Sequence, residues 1–480
     1  MKRRALLSSL AAGSVAALAG CNERGNATTG TTTHDDSTRT TTPTTSDAPT
    51  PPDTGLADAT TAVFETRDRT ISLLGGRRRL PSGLVMRAWL SATATADHPA
   101  RVTATLTNDT EYETTLRLDE VPPFDTTPHA SPGRDYDHTL YLAPTERHGF
   151  ATTVPAVARA ESGGWYLDGP PDRWQPEAVE LAPGETLVGE FAVVPERPDS
   201  FPPGRYAFGY TDDPLTLSAW QSSQPGPTEE SAFEDATPPA FAEQSPAWYH
   251  DATPETQAFL RPSAERVDAP AAVEFTLHNH RTEPLSGNVY DWTLYKQVED
   301  DWYHIAPWAI PVPLTPLAPG DTHTWTFHAF SGPSVECENA VALGHLGGGR
   351  YAFHVNMSSE SGPTHAALFD IDAPAVSVTP TEDVSVEREY RLVRASTPDD
   401  GGDRATLVVQ RTDDADTRLL PEQVMRPRNR GLRNTLPFFE DGVQKVRLRT
   451  TDGVVDDALH GGEPERVFRY DGNAFAAWRA

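Results

Sequence analysis

Apolar residues recur at every second position in many short runs of this chain. Val102, Ala104 and Leu106 form one such run, and Val273, Phe275 and Leu277 another. Leu187, Gly189, Phe191 and Val193 follow the same spacing, as do His323, Trp325, Phe327 and Ala329. A period of two places each set on one face of a half-buried strand. Clusters of Pro, Gly, Asn and Asp separate the runs, where a chain that must reverse direction needs them.

Two of these strands are introduced by nearly the same turn, Leu181-Ala182-Pro183-Gly184-Glu185-Thr186 and Leu317-Ala318-Pro319-Gly320-Asp321-Thr322. Pro followed by Gly fits the central positions of a type II turn: Pro fixes φ near −65° and Gly accepts a positive φ. Each copy leads to Gly-Arg-Tyr-Ala-Phe, at 204–208 and 349–353. Earlier landmarks keep the same order. Asn108 parallels Asn279, Tyr136-Asp137-His138-Thr139-Leu140-Tyr141 parallels Tyr290-Asp291-Trp292-Thr293-Leu294-Tyr295, and Trp165-Tyr166 parallels Trp302-Tyr303. Ordered landmarks with drifting spacing predict a duplicated module with insertions in its loops.

The predicted fold is mainly β: tandem Ig-like antiparallel β-sandwiches followed by a small α+β C-terminal domain. Boundaries fall at 59–220 for module one, 221–250 for a polar, Pro-rich linker, 251–376 for module two and 377–480 for the C-terminal module. In that last part 387–394, 405–411, 443–449 and 466–470 read as strands, and 420–438 has helix-like spacing. Asp471-Gly472 before Asn473 signals a hairpin turn.

The run L-H-N (277–279), Y-D-W-T-L-Y (290–295), W-Y (302–303), L-A-P-G-D (317–321), W-T-F (325–327) and G-R-Y-A-F (349–353) resembles the BsuPI-type module. That family is named for a bacterial intracellular proteinase inhibitor. The resemblance covers module two and, more loosely, module one. It implies an Ig-like β-sandwich; the matching positions are strand, turn and core sites, so no inhibitory residue is carried over.

Lys2-Arg3-Arg4 opens a short apolar segment ending in Leu18-Ala19-Gly20-Cys21. The segment is shorter than the ~20 residues a membrane span needs and fits an export signal. The arginine pair resembles a twin-arginine signal, and L-A-G-C resembles a lipobox. That implies a signal peptide over 1–20, a lipid on Cys21 and attachment to the outer face of the cell membrane. Residues 21–58, rich in Thr and Pro and almost free of apolar side chains, cannot build a core and read as a disordered tether. Asn26, Asn108 and Asn356 each begin an N-x-[ST] triplet and are candidate glycosylation sites. With Cys21 lipidated, Cys337 has no disulfide partner and is expected to be a small buried residue.

The chain of 480 residues carries a net charge of −29 and only three lysines, Lys2, Lys296 and Lys445. An acidic, lysine-poor surface resembles that of haloarchaeal proteins. In molar salt the Debye length falls to about 3 Å, so a nucleic acid held by diffuse charge is an unsuitable partner.

Candidate chemistry is sparse. Arg426, Arg428, Arg430 and Arg433 could grip an anion through close guanidinium contacts or belong to an internally paired face. His278-Asn279-His280 spells H-N-H but lies in the strand repeat, where it serves the turn. Cys337, His345, His354 and Met357 are spaced too widely for a copper loop. Two acidic groups, at 399–403 and 413–416, offer oxygen ligands in turns that abound here. No cofactor and no bound metal are implied. Trp302, Tyr303 and Trp308 form the candidate binding patch, since flat rings at a sandwich edge can stack on a glycan or fill a protein's pocket. The alternative is that they close the core.

The expectation is therefore a lipid-anchored, extracytoplasmic, non-enzymatic surface protein with a structural or binding role. An inhibitor of an extracellular protease is one alternative. An enzyme or metal-binding protein of unrecognised type is the other.

Overall fold

Both Leu-Ala-Pro-Gly stretches fold as type II turns. Glu185 donates its backbone N–H to Ala182 at 3.0 Å, Asp321 donates to Ala318 at 3.0 Å, and Gly184 and Gly320 both sit at φ 75°. The computed structural model describes residues 60–132, 138–209, 214–241, 245–338, 340–381, 383–398, 403–461 and 463–480. The signal, Cys21, the tether and Asn26 lie outside the described residues.

Each turn is held by a buried asparagine one strand away. Asn108 Nδ2 donates to the carbonyls of Leu181 and Tyr112, both at 2.9 Å. Asn279 Nδ2 donates to Leu317 at 2.9 Å and Glu283 at 3.0 Å. The turn glycines return the bond, Gly184 N–H to Asn108 O at 2.8 Å and Gly320 N–H to Asn279 O at 2.6 Å. The ladders that follow share one register: Leu106 faces Leu187 and Val102 faces Phe191, as Leu277 faces His323 and Val273 faces Phe327. The two GRYAF strands each carry a tyrosine corner, a ring hydroxyl tied to backbone just upstream. Tyr206 Oη donates to Pro202 O at 2.8 Å and Tyr351 Oη to Gly347 O at 2.6 Å.

Among the described residues, module one pairs a four-stranded sheet (60–63, 70–74, 215–220 and 204–208, in spatial order) with a six-stranded one built around Arg101–Asn108 and Thr186–Pro195. Ile71, Leu217 and Phe208 from the first meet Met86, Val102, Leu106 and Phe191 from the second. Module two packs the sheet of Ala258–Pro262, Ala271–Asn279, Thr322–Ala329 and Val341–Leu343 against one built on Ser286–Val298, Gly349–Ser358 and His365–Asp372. Across that core the Phe275 and Phe353 rings stack at 4.2 Å. The fold is thus mainly β, with two Ig-like antiparallel sandwiches. A C-terminal α+β part follows, a six-stranded sheet carrying three short helices, Pro421–Val424, Arg430–Arg433 and Asp452–Ala458. Its final hairpin turns at Asp471-Gly472, both at positive φ, with Tyr470 opposite Asn473. The stretch expected as one strand at 387–394 is instead a hairpin, Ser385–Glu389 with Leu392–Ser396.

Two landmarks of the repeat do not land on equivalent strands. Leu140–Pro144 pairs with Thr186–Pro195, whereas Ser286–Val298 pairs with Gly349–Ser358 in the opposite sheet. Trp165–Leu167 forms a separate hairpin with Val157–Arg159 over the outer face of the six-stranded sheet, whereas Asp301–Ala306 extends the Ser286–Val298 sheet. A short aromatic run reports strand propensity and alternation; it does not name its partner strand.

The segment expected as a linker is packed. Ser223 N–H and Gln221 Nε2 bond Asp68 of module one at 2.7 and 3.0 Å. Further on, Phe233 and Trp248 are buried against Ala352, Ala366 and Leu368, and Ala247–Trp248 pairs in parallel with His365–Ala366. Phe233, Phe241 and Trp248 are therefore an outer cover of module two.

Candidate functional site

The strand Asp301–Ala306 alternates its side chains between two faces, which separates the residues expected to form one aromatic patch. Trp302 points to the outer cover: its ring stacks on Phe241 at 5.4 Å and its indole N–H donates to Pro239 O at 2.8 Å. Tyr303 points the other way and packs on the core of module two, as Ile305 does. Trp308 lies beyond the strand, 42 % exposed, with the Arg428 guanidinium 4.9 Å above its ring and His304 edge-on at 4.4 Å. The patch of Trp302, Tyr303 and Trp308 is thus not one surface. Of the three, Trp308 is exposed while Trp302 and Tyr303 are half-buried.

Of the arginine cluster, Arg426 and Arg428 reach module two, while Arg430 and Arg433 bond within the C-terminal part. Arg426 is buried, donating from Nε to Glu422 O at 2.9 Å and from Nη2 to Gly344 O and His345 O. Arg430 pairs with Asp383 at 2.9 Å, and Arg433 donates to Thr379 O at 2.8 Å. Beside them Glu422, nearly inaccessible, pairs with Lys296 of module two and accepts the Gly347 N–H at 3.2 Å. Gln423 Nε2 adds a bond to His304 O at 3.0 Å. Helix Pro421–Val424 is therefore the plug between module two and the C-terminal part.

The histidines likewise serve packing. His280 stacks on Trp220 of module one at 5.5 Å and 12°, and His278 stacks on Phe259 at 4.7 Å. Burial pushes His278, His354 and His148 each down to about 4, so all three are neutral near pH 7. His354 bonds Thr364 Oγ1 at 2.9 Å and Met357 is fully buried. Cys337 is half-exposed on a loop rather than buried, its thiol 3.5 Å from Val335 O. No group of three or more His, Cys, Asp or Glu side chains arranged to hold a metal ion occurs among the described residues.

Of the candidate glycosylation sites, Asn108 is a correction. Its amide is fully buried, and the nitrogen that would carry a sugar already makes both turn-holding bonds. Asn356 is exposed on its strand and bonds Asp291 Oδ2 at 2.9 Å. Asn26 and Cys21 lie outside the described residues.

Clefts of about 840 and 1010 Å³ open beside Arg350–Asp370 and beside Tyr303, Arg418 and Arg469. A third, of about 480 Å³, is walled by Trp165, Pro99 and Val157. Its polar groups answer one another: Arg101 and Arg147 flank Glu190 at 3.6 and 3.8 Å, and Thr145 donates to the same carboxylate at 2.8 Å. Among the described residues no helix is long and apolar enough to cross a membrane.

The fold defines a tandem Ig-like β-sandwich protein with an α+β C-terminal part. No family model matches the chain, and no curated protein does. Among solved structures, a polysaccharide lyase aligns at 11 % identity over 63 % of this chain and 34 % of its own, with a TM-score of 0.13. A protein described as membrane anchored from Corynebacterium diphtheriae aligns at 7 % identity over 88 % of both chains, with a TM-score of 0.14. The FN1–FN3 domains of chicken CNTN1 align at 8 % identity over 66 % of this chain and 78 % of theirs, with a TM-score of 0.12. At such scores none of them bears on what this chain does.

Proposed function

We propose that the protein is lipid-anchored through Cys21 to the outer face of a haloarchaeal cell membrane, having been exported by a twin-arginine signal. There it acts as a non-enzymatic binding or structural protein. The BsuPI-like features of its modules serve as scaffold. The observation that carries this reading is the use made of its conspicuous polar side chains. Arg426, Glu422, Lys296 and His280 hold neighbouring modules together. Leu18-Ala19-Gly20-Cys21 supplies the address, and residues 21–58 have the Thr- and Pro-rich composition of a tether.

The anchoring is tested by Cys21→Ser. The wild-type chain is expected in the membrane fraction and the variant in the medium or wash, with equal thermal stability. A wild-type chain whose Cys21 carries no lipid by mass spectrometry, or a variant that stays in the membrane fraction through a low-salt wash, would sink the anchor.

A further inference from the structure

Between Ala306 and Leu317 the chain runs Pro-Trp-Ala-Ile-Pro-Val-Pro-Leu-Thr-Pro, with no charged residue in a protein where 23 % of residues are charged. Val312 is 90 % exposed, Leu314 64 % and Trp308 42 %, and Tyr290 of the neighbouring strand is 51 % exposed. The loop is nonetheless pinned: Asn288 Nδ2 donates to Pro311 O, and Thr315 N–H donates to Gly287 O at 2.9 Å. An apolar loop held out into water this way is an interaction surface.

Three features select a phospholipid surface as its occupant. Pro311, Pro313 and Pro316 have no N–H, so a shallow entry into the headgroup boundary leaves few backbone donors without a partner. Trp308 supplies an amphipathic ring of the kind that settles at headgroup level. Arg428, over that ring, brings a guanidinium suited to a phosphate oxygen. We infer that the 307–316 loop is a second, non-covalent membrane contact, with Val312 and Leu314 entering the headgroup boundary and Arg428 meeting lipid phosphate. This rests on the proposed membrane location. The chain's net charge of −29 opposes approach to anionic lipid at low ionic strength, and molar salt removes that opposition while leaving apolar contact intact.

The test uses the full chain carrying Cys21→Ser, which has no lipid, so its result is separate from that of the anchor. In molar KCl this chain is expected to float with phosphatidylglycerol vesicles, and to do so less at low salt. Val312→Asp with Leu314→Asp should lower the bound fraction on the order of 10-fold or more, given the apolar area withdrawn. Leu314→Trp should raise it, which keeps the proposal testable if the aspartates disturb folding. Arg428→Gln should weaken binding about 3-fold on phosphatidylglycerol and not on vesicles of a neutral, phosphate-free glycolipid. No flotation by the parent chain, or flotation indifferent to both loop variants, would overturn the proposal. So would capture by a proline-reading protein domain with no vesicle binding.

Discussion

The two sandwiches share a frame and differ in what covers it. In both, an asparagine holds a Pro-Gly turn and a tyrosine ties its strand to backbone just upstream. Yet module one is covered by a hairpin of its own, with Trp165 and Leu167, while module two is covered by Phe233, Phe241 and Trp248, which precede it. Duplication therefore preserved the contacts that set strand register, and the outer faces acquired separate solutions. Buried histidines are also unequally shared: His278 and His354 are pushed down to about 4 in module two, against His148 in module one.

Acid should separate the modules most. A buried histidine whose folded value lies near 4 binds fewer protons than the unfolded chain, whose value is 6.5. Stability is then full above 6.5, falls as pH drops through that window and levels off below about 4. Each such group can cost on the order of 3 kcal/mol at the limit. Amide exchange between pH 7 and pH 4.5 should show module two losing protection first; equal loss would remove the distinction.

The turns give a sharper contrast. A Cβ at Gly184 meets nothing within 4 Å, whereas one at Gly320 would lie 2.6 Å from Trp220 and 2.7 Å from Ser218. Gly184→Ala should cost about 1 kcal/mol from its left-handed backbone alone. Gly320→Ala should cost about 3 kcal/mol, because the neighbouring module must also move. Denaturant unfolding of the two variants measures the difference. Smallest and most symmetrical is the tyrosine corner. Tyr206→Phe and Tyr351→Phe should each cost about 1 kcal/mol, and melting curves that separate them widely would show that the corners are not equivalent.

The shared frame was readable in the sequence because its elements are local. A Pro-Gly turn, an asparagine before a loop and a tyrosine two residues into a strand each declare themselves within a few positions. Strand partnership is not local, so Tyr136–Tyr141 and Tyr290–Tyr295 matched as text while the strands they lead into joined opposite sheets. The cover of module two left a signal that could have been used. The expected tether, 21–58, contains no Phe, Tyr or Trp, whereas the expected linker carries Phe233, Phe241, Trp248 and Tyr249. Rings at such intervals have no purpose in a tether. The Trp302, Tyr303 and Trp308 patch failed for a related reason: adjacent residues in a strand face opposite ways.

Glu422 binds Lys296 and the Gly347 N–H, and the carbonyl of that same Gly347 receives the Tyr351 hydroxyl. A pull on the C-terminal end is thereby delivered, through this carboxylate together with Arg426 and Gln423, to the region where a central strand of the second sandwich begins. Tension would be felt there before it reached the first sandwich, whose own corner closes on Pro202.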